Sequence, residues 1–340
     1  MENSIPRAKH RKTKLQAYWQ RIKKFCGEIY WRETVLCAPA IIIVLALSLD
    51  MDPTDSVVVV GAAFSVGFGA SRTFGGYRWG AVIAATAGMA LAAFSGSLAS
   101  EHAYWSFPVI AALTAVCAAL TAYDNNLWWI SLQVVIAFLV AGYYPRPFDL
   151  ALYRAELVLL GGGIQLIGMI LLAVLIPQSA RPLPVLPTTP LAKRLLVRFV
   201  VCVVIAVVLA LILAKDAGLA NDYWAPMTAL LILRPSGEVT LSRALNRLIG
   251  TLLGCGLATV IIYLFHDTLF MLLICLTLTA AGAFSMQKAH YVLLSSMISA
   301  TIVFLIALGY GDPIQTTEHR LVATLLGGAT AIVTGRIFRL

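Results

Sequence analysis

The chain predicts an all-α polytopic membrane helix bundle of about twelve transmembrane helices in two parallel six-helix repeats, preceded by an N-terminal amphipathic helix. Three observations carry this. Of 340 residues, 60% are hydrophobic and only 12% charged, with a mean hydropathy of +0.87, well beyond what a water-soluble core needs. Apolar runs of membrane-crossing length recur six times, stop at a proline-rich stretch, and recur six times more. Lysine and arginine gather on alternate connections, the bias that marks cytoplasmic loops.

A hydrocarbon core roughly 30 Å thick takes about 20 helical residues per crossing. Runs of this kind lie at 34–50, 56–71, 79–98, 104–122, 127–144 and 155–176, then at 195–214, 223–237, 247–265, 268–285, 291–310 and 317–337. The chain so divides into a basic tail (1–32), a first six-span repeat (33–176), a proline-rich cytoplasmic linker (177–194) and a second six-span repeat (195–340). Runs 56–71 and 223–237 are short and interrupted by Gly or Pro. In the tail, Leu15, Trp19, Ile22, Phe25 and Ile29 share one helical face with the cations mostly opposite. A helix lying on the anionic leaflet fits that pattern, and so does one that docks on a partner or gates the mouth of the bundle. The tail has no compact apolar run ending in a small-residue cleavage site, so no cleavable signal is expected.

With the N-terminus inside, 21 of the 25 Lys and Arg fall on the cytoplasmic side, leaving Arg146, Arg154, Lys215 and Arg320 outside. The expected topology is therefore multi-pass, with both termini cytoplasmic. On this reading the net charge of +9 sets topology, and nucleic acid is not an expected partner. All seven Trp residues lie in the tail or at a predicted span end, as an interfacial belt would. The six cysteines are scattered, with no Cys-x-x-Cys pair or Cys/His cluster, and read as packing residues.

The two halves echo each other. Asp55 and Asp222 each open the second span of their half, and Arg78 and Arg247 each open the third, followed by Ala81 and Ala85 in one and Gly250 and Gly254 in the other. Parallel repeats suit a transporter that handles its substrate between the halves.

Candidate site residues concentrate between Asp222 and Gly256. A cation near the bilayer interior costs on the order of 3 kcal/mol or more and needs a reason to be kept; an anionic substrate is one. Arg72 and Arg78 in the first half, with Arg234, Arg243 and Arg247 in the second, sit at the cytoplasmic ends of spans two and three. A planar guanidinium holds a carboxylate at two points and stacks on aromatic rings. The plainer reading is that these arginines are topology anchors snorkelling to lipid phosphates. Pro235 and Gly237 end one helix and leave backbone groups free, where Ser242 could cap the next, while Gly250 and Gly254 allow close helix approach. Gly67, Gly69, Gly75 and Gly76 are the first-half counterparts, and the triple glycine 161–163 with Gly327 and Gly328 reads as helix packing. At the outer end, Tyr223 and Trp224 are either an interfacial anchor or rings lining an exit path, with Asp222 a possible coupling acid.

No enzyme signature is present: no phosphate loop, no His-Glu-x-x-His, no Gly-x-Ser-x-Gly, and five dispersed histidines. No cofactor and no metal are expected.

The tract Tyr223-Trp-Ala-Pro-Met-Thr, Pro235, Ser242-Arg243 and Arg247-Leu-Ile-Gly250-Thr-Leu-Leu-Gly254 resembles the fusaric acid resistance, or aromatic acid exporter, family. The specific likeness covers about 35 residues, and the six-span pattern extends it loosely. The resemblance implies an inner-membrane exporter of aromatic carboxylic acids or related organic anions, driven by the proton gradient, in some members beside a periplasmic adaptor protein and possible as a homo-oligomer. Plant anion channels built on a similar six-span half make a passive channel the rival, and a non-transporting scaffold or receptor a third reading. The chain departs from the larger exporters in having only residues 177–194 between its halves, with no large cytoplasmic domain there.

Overall fold

The computed structural model describes residues 29–99, 103–144, 146–176, 191–265, 268–287, 289–309 and 312–340. The amphipathic helix expected within 1–32 and residues 177–190 of the linker lie outside or almost wholly outside them. The described residues form α-helices with no strand beyond an isolated bridge between Phe74 and Tyr77. In order they are α1 (Trp31–Ser48), α2 (Pro53–Gly67), α3 (Gly80–Ala99), α4 (Ala103–Leu120), α5 (Asn125–Tyr143), α6 (Phe148–Leu175), α7 (Lys193–Asp216), α8 (Trp224–Ile232), α9 (Gly237–Phe265), α10 (Leu269–Ser285), α11 (Tyr291–Leu308) and α12 (Pro313–Ile337).

Local chemistry explains the starts. Pro53 and Pro313 occupy the first helical turn, where a missing N–H costs nothing. Asp124 accepts from the backbone N–H groups of Asn126 and Leu127 at 2.6 and 3.0 Å, and Asp312 from that of Ile314 at 2.8 Å, so carboxylates cap α5 and α12. Eight of the helices are long and apolar enough to cross a membrane. Around the bundle, Leu91, Leu171, Leu257 and Leu278 are each more than 60% exposed, a surface that hydrocarbon covers and water would not.

The second helix of each half is cut short. Helix α8 has nine residues, about 14 Å of rise, where the sequence suggests a run to residue 237. The cause is local. Arg234 precedes Pro235, which disfavours helical backbone at that position, and Leu233 has already left the helix at ψ 130°. Thr240 then takes over the freed groups: its Oγ1 accepts from the Arg234 amide at 3.1 Å. The next helix begins at Gly237, ten residues before Arg247, so Ser242, Arg243 and Arg247 lie on α9 itself and Ser242 caps nothing. Helix α2, with 15 residues, ends at Gly67, and a loop through Gly75 and Gly76, both at positive φ, leads to α3. Interrupted helices survive at membrane depth when they are packed in protein or line a cavity.

Helix pairing recurs with an offset of six. The packed pairs α3·α5, α2·α6, α3·α6 and α1·α6 have the counterparts α9·α11, α8·α12, α9·α12 and α7·α12. Three packed pairs join the halves; α1 with α10 and α4 with α7 are exchanged counterparts, and α2 with α11 is the third. The glycines follow the same rule. A Cβ on Gly161 of α6 would meet the Val59 carbonyl of α2, and one on Gly327 of α12 would meet the Ala225 carbonyl of α8, with both members of the second pair 166 positions after the first. On α9, Gly250 lies against Ser295 and the Val292 carbonyl, and Gly254 against the Ser296 carbonyl. Small residues here set the interhelical distance.

Candidate functional site

Between the two sets of helices runs one cavity of about 1870 Å³, beyond the ~300–1,000 Å³ common for small-molecule pockets. Helix α5 lines it from Asn125 to Val140, and Tyr144 just beyond the helix also lines it. A 19-residue helix rises about 28 Å, so the cavity is as long as a hydrocarbon core is thick. Among the described residues, nine arginines line it against two carboxylates, Glu33 and Asp312, and no lysine.

One end is built by the two interrupted helices. The loop after α2 brings Arg72 and Arg78, the turn after α8 brings Arg234, and the first turns of α9 bring Arg243 and Arg247. Aromatic faces seat them. Arg72 lies over Trp129 at 5.2 Å, Arg234 over Trp128 at 4.9 Å, Arg243 over Tyr291 at 4.6 Å and Arg78 over Trp79 at 4.6 Å, each measured from Cζ to the ring centroid. A desolvated cation over a ring gains about 2 kcal/mol, which offsets part of the cost of taking a charge from water. Arg72 also donates to the Asn125 carbonyl at 2.9 Å. Burial pushes its guanidinium down to about 10, with the Asp124 carboxylate opposing; it stays cationic at neutral pH. Arg247 is only 5% exposed, and its Nε meets no protein acceptor, nor does that of Arg243.

At the opposite end, Tyr143, Tyr144, Tyr223 and Trp224 form a chain of edge-on rings with centroids 4.7 to 5.8 Å apart. Asn221, in the left-handed region at φ 56°, accepts from the hydroxyls of Tyr144 at 3.1 Å and Tyr223 at 3.0 Å. Arg146, Arg154 and Arg320 line the cavity here. Between the two ends the lining is mainly apolar, with Ile136, Met227, Leu231, Ile298 and Ile302, and it includes the polar Gln133. Asn221→Ala should lower stability by about 1–3 kcal/mol, since it orphans two hydroxyls and strains a left-handed backbone position. Thermal unfolding reads this, and Asn221→Gly should recover only the backbone share.

The sequence-selected Arg72, Arg78, Arg234, Arg243, Arg247, Tyr223 and Trp224 all line this cavity. Pro235, Gly237, Gly250 and Gly254 do not; Gly250 and Gly254 are spacers between α9 and α11, and a Cβ on Gly237 would meet the Leu340 carbonyl. Asp222 is 7% exposed beside, not in, the cavity lining. Burial raises its pKa while Lys215 draws it back. Two assignments change. Trp128, Trp129 and Trp224 face the cavity, Trp129 and Trp224 being 3% and 4% exposed, so they are no part of an interfacial belt. Arg154 and Arg320, expected outside the membrane, sit one to two turns inside α6 and α12. Arg32, expected in the basic tail, also lines the cavity, at the start of α1.

Helical spans around a basic, ring-lined cavity define a polytopic membrane protein. Residues 200–334, which run from within α7 to within α12, match the family model described as fusaric acid resistance protein-like. An uncharacterized protein of Synechocystis sp. is 31% identical over 114 residues, 32% of this chain and 15% of the relative. The chain thus spans under a sixth of that relative's length. No solved structure matches the chain.

Proposed function

We propose that the protein moves aromatic carboxylates and related organic anions across the bacterial inner membrane, outward from the cytoplasm, through the cavity between two six-helix repeats. The observation that carries this is the lining: nine arginines against two carboxylates along a path as long as the membrane core is thick. A static topology anchor has no need to face inward. Arginines facing the cavity, with the Nε–H groups of Arg243, Arg247 and Arg320 lacking a protein acceptor, attract an anion into the low-dielectric interior, where Coulomb attraction is least screened. The aromatic rings at both ends suit a substrate that is itself a ring. The fusaric acid resistance-like match over the second half supports the same class.

Proton coupling is the finer part of the reading, and Asp222 is its candidate. Burial favours the neutral form of this carboxyl, so it binds a proton at a higher pH than an exposed aspartate does. Asp222→Asn should abolish the gain in benzoate flux that a pH gradient gives proteoliposomes while leaving downhill flux in place. A passive anion channel is the second reading, favoured by a cavity that touches both ends of α5. Flux that follows imposed voltage and ignores the pH gradient would select it. A protein that moves no anion under either condition sinks both.

A further inference from the structure

The recurrence that pairs Gly161 with Gly327 also pairs Arg154 with Arg320, each seven residues before its glycine. Both lie over a ring, Arg154 over Tyr144 at 5.5 Å, but their hydrogen-bond partners differ. Arg154 is tied into the protein: its Nη1 donates to Ser97 Oγ at 2.8 Å, to the Tyr144 carbonyl at 2.7 Å and to the Ala141 carbonyl at 3.4 Å. Arg320 lies in the cavity wall, 3% exposed, with its guanidinium over Trp224 at 5.0 Å and no protein acceptor for Nε. Cys255, whose thiol pairs with the guanidinium, Arg247 and Tyr223 are its titratable neighbours, and none of them is a carboxylate.

We propose that Arg320, held over Trp224 and next to Arg247, is a seat selective for carboxylates over halides on the Trp224 side of the cavity, and that its counterpart Arg154 is a strut. The proposal rests on the anion-passage reading above and adds a second station and a rule of selection. A guanidinium stacked on a ring has its plane fixed, and its N–H bonds radiate in that plane. The free Nε–H and the neighbouring Nη–H then form a side-on fork whose spacing matches the two oxygens of a carboxylate. A halide is a single point and satisfies one arm. Selection therefore comes from the headgroup, so acetate should be accepted ahead of chloride even without a ring. Lysine at 320 would keep the charge and lose the fork.

The experiment titrates the detergent-purified full-length protein with sodium acetate or sodium chloride at matched ionic strength, and follows the rise in melting temperature that binding to the folded state produces. For the wild type, half-maximal stabilisation should need at least fivefold less acetate than chloride. In Arg320→Lys the two concentrations should converge to within twofold, whereas Arg154→Lys should melt earlier and keep the wild-type ratio. Should Arg320→Lys fail to assemble, Trp224→Leu, which leaves the arginine but removes its platform, should show the same convergence. A wild-type ratio in Arg320→Lys or Trp224→Leu overturns the seat, as does a wild type that moves benzoate yet is stabilised equally by both anions. A wild type that neither binds nor moves any anion overturns the anion-passage reading itself.

Discussion

Replacing Arg247 with glutamine is expected to lower benzoate flux in proteoliposomes by at least about tenfold while the protein remains folded in the membrane. Among the basic-turn arginines, Arg247 is the most deeply placed, 5% exposed on α9, with Nε unpaired by protein. It is also fixed at its root, since Ser295 of α11 donates to its carbonyl at 3.3 Å. Losing one partner of a desolvated charged hydrogen bond typically costs about 2–5 kcal/mol, and about 1.4 kcal/mol is a tenfold change. Glutamine leaves the backbone bond and much of the side-chain volume intact, so melting temperature should hold or rise as like charges are thinned. Flux at the wild-type level, normalised to protein in the vesicle, would falsify the role given to this residue.

The second large effect is expected at Gly254. A side chain there points at the Ser296 carbonyl of α11, with Ser296 carbon atoms directly behind it. Backbone cannot rotate away as a side chain can, so Gly254→Leu must push α9 and α11 apart. Overpacking of this kind costs about 1–3 kcal/mol or more, and in this fold it also spreads the wall that carries Arg243 and Arg247. The variant should be recovered poorly as folded, monodisperse protein. Gly256, two residues on, has open space where its Cβ would lie; Gly256→Leu should behave as the wild type in size-exclusion chromatography, which separates the geometric clash from the mere loss of a glycine.

The helices and the basic-turn end of the cavity were legible in the sequence for a simple reason. In a chain with so little charge, each arginine away from the tail is conspicuous, and five of them fall at matching places in two halves. Their surroundings were not legible. Trp128 and Trp129 lie near a span end, where an anchor in the headgroups is the usual role, and only the fold turns them inward over Arg234 and Arg72. Arg154 and Arg320 were misplaced because counting loops treats a cation near a helix end as solvent-exposed, whereas these sit on the inner faces of α6 and α12. The end of α8 was overrun because Leu230 to Leu233 continue the apolar run without a gap; Pro235 was the available signal, and the break lies at Leu233, two residues before it. The pairing of Arg154 with Arg320 could have been found by aligning Gly161–Gly162 with Gly327–Gly328, which share one offset.

The extent of the cavity has an electrical consequence. A path that reaches from one end of α5 to the other leads a travelling ion through nearly the entire voltage drop. A univalent anion leaving a negative interior gains about 2.3 kcal/mol per 100 mV, a concentration ratio of roughly fiftyfold at equilibrium. On the anion-passage reading, polarisation of the envelope alone is enough to drain such acids from the cell, and depolarising it at constant pH should leave flux set by the concentration gradient alone.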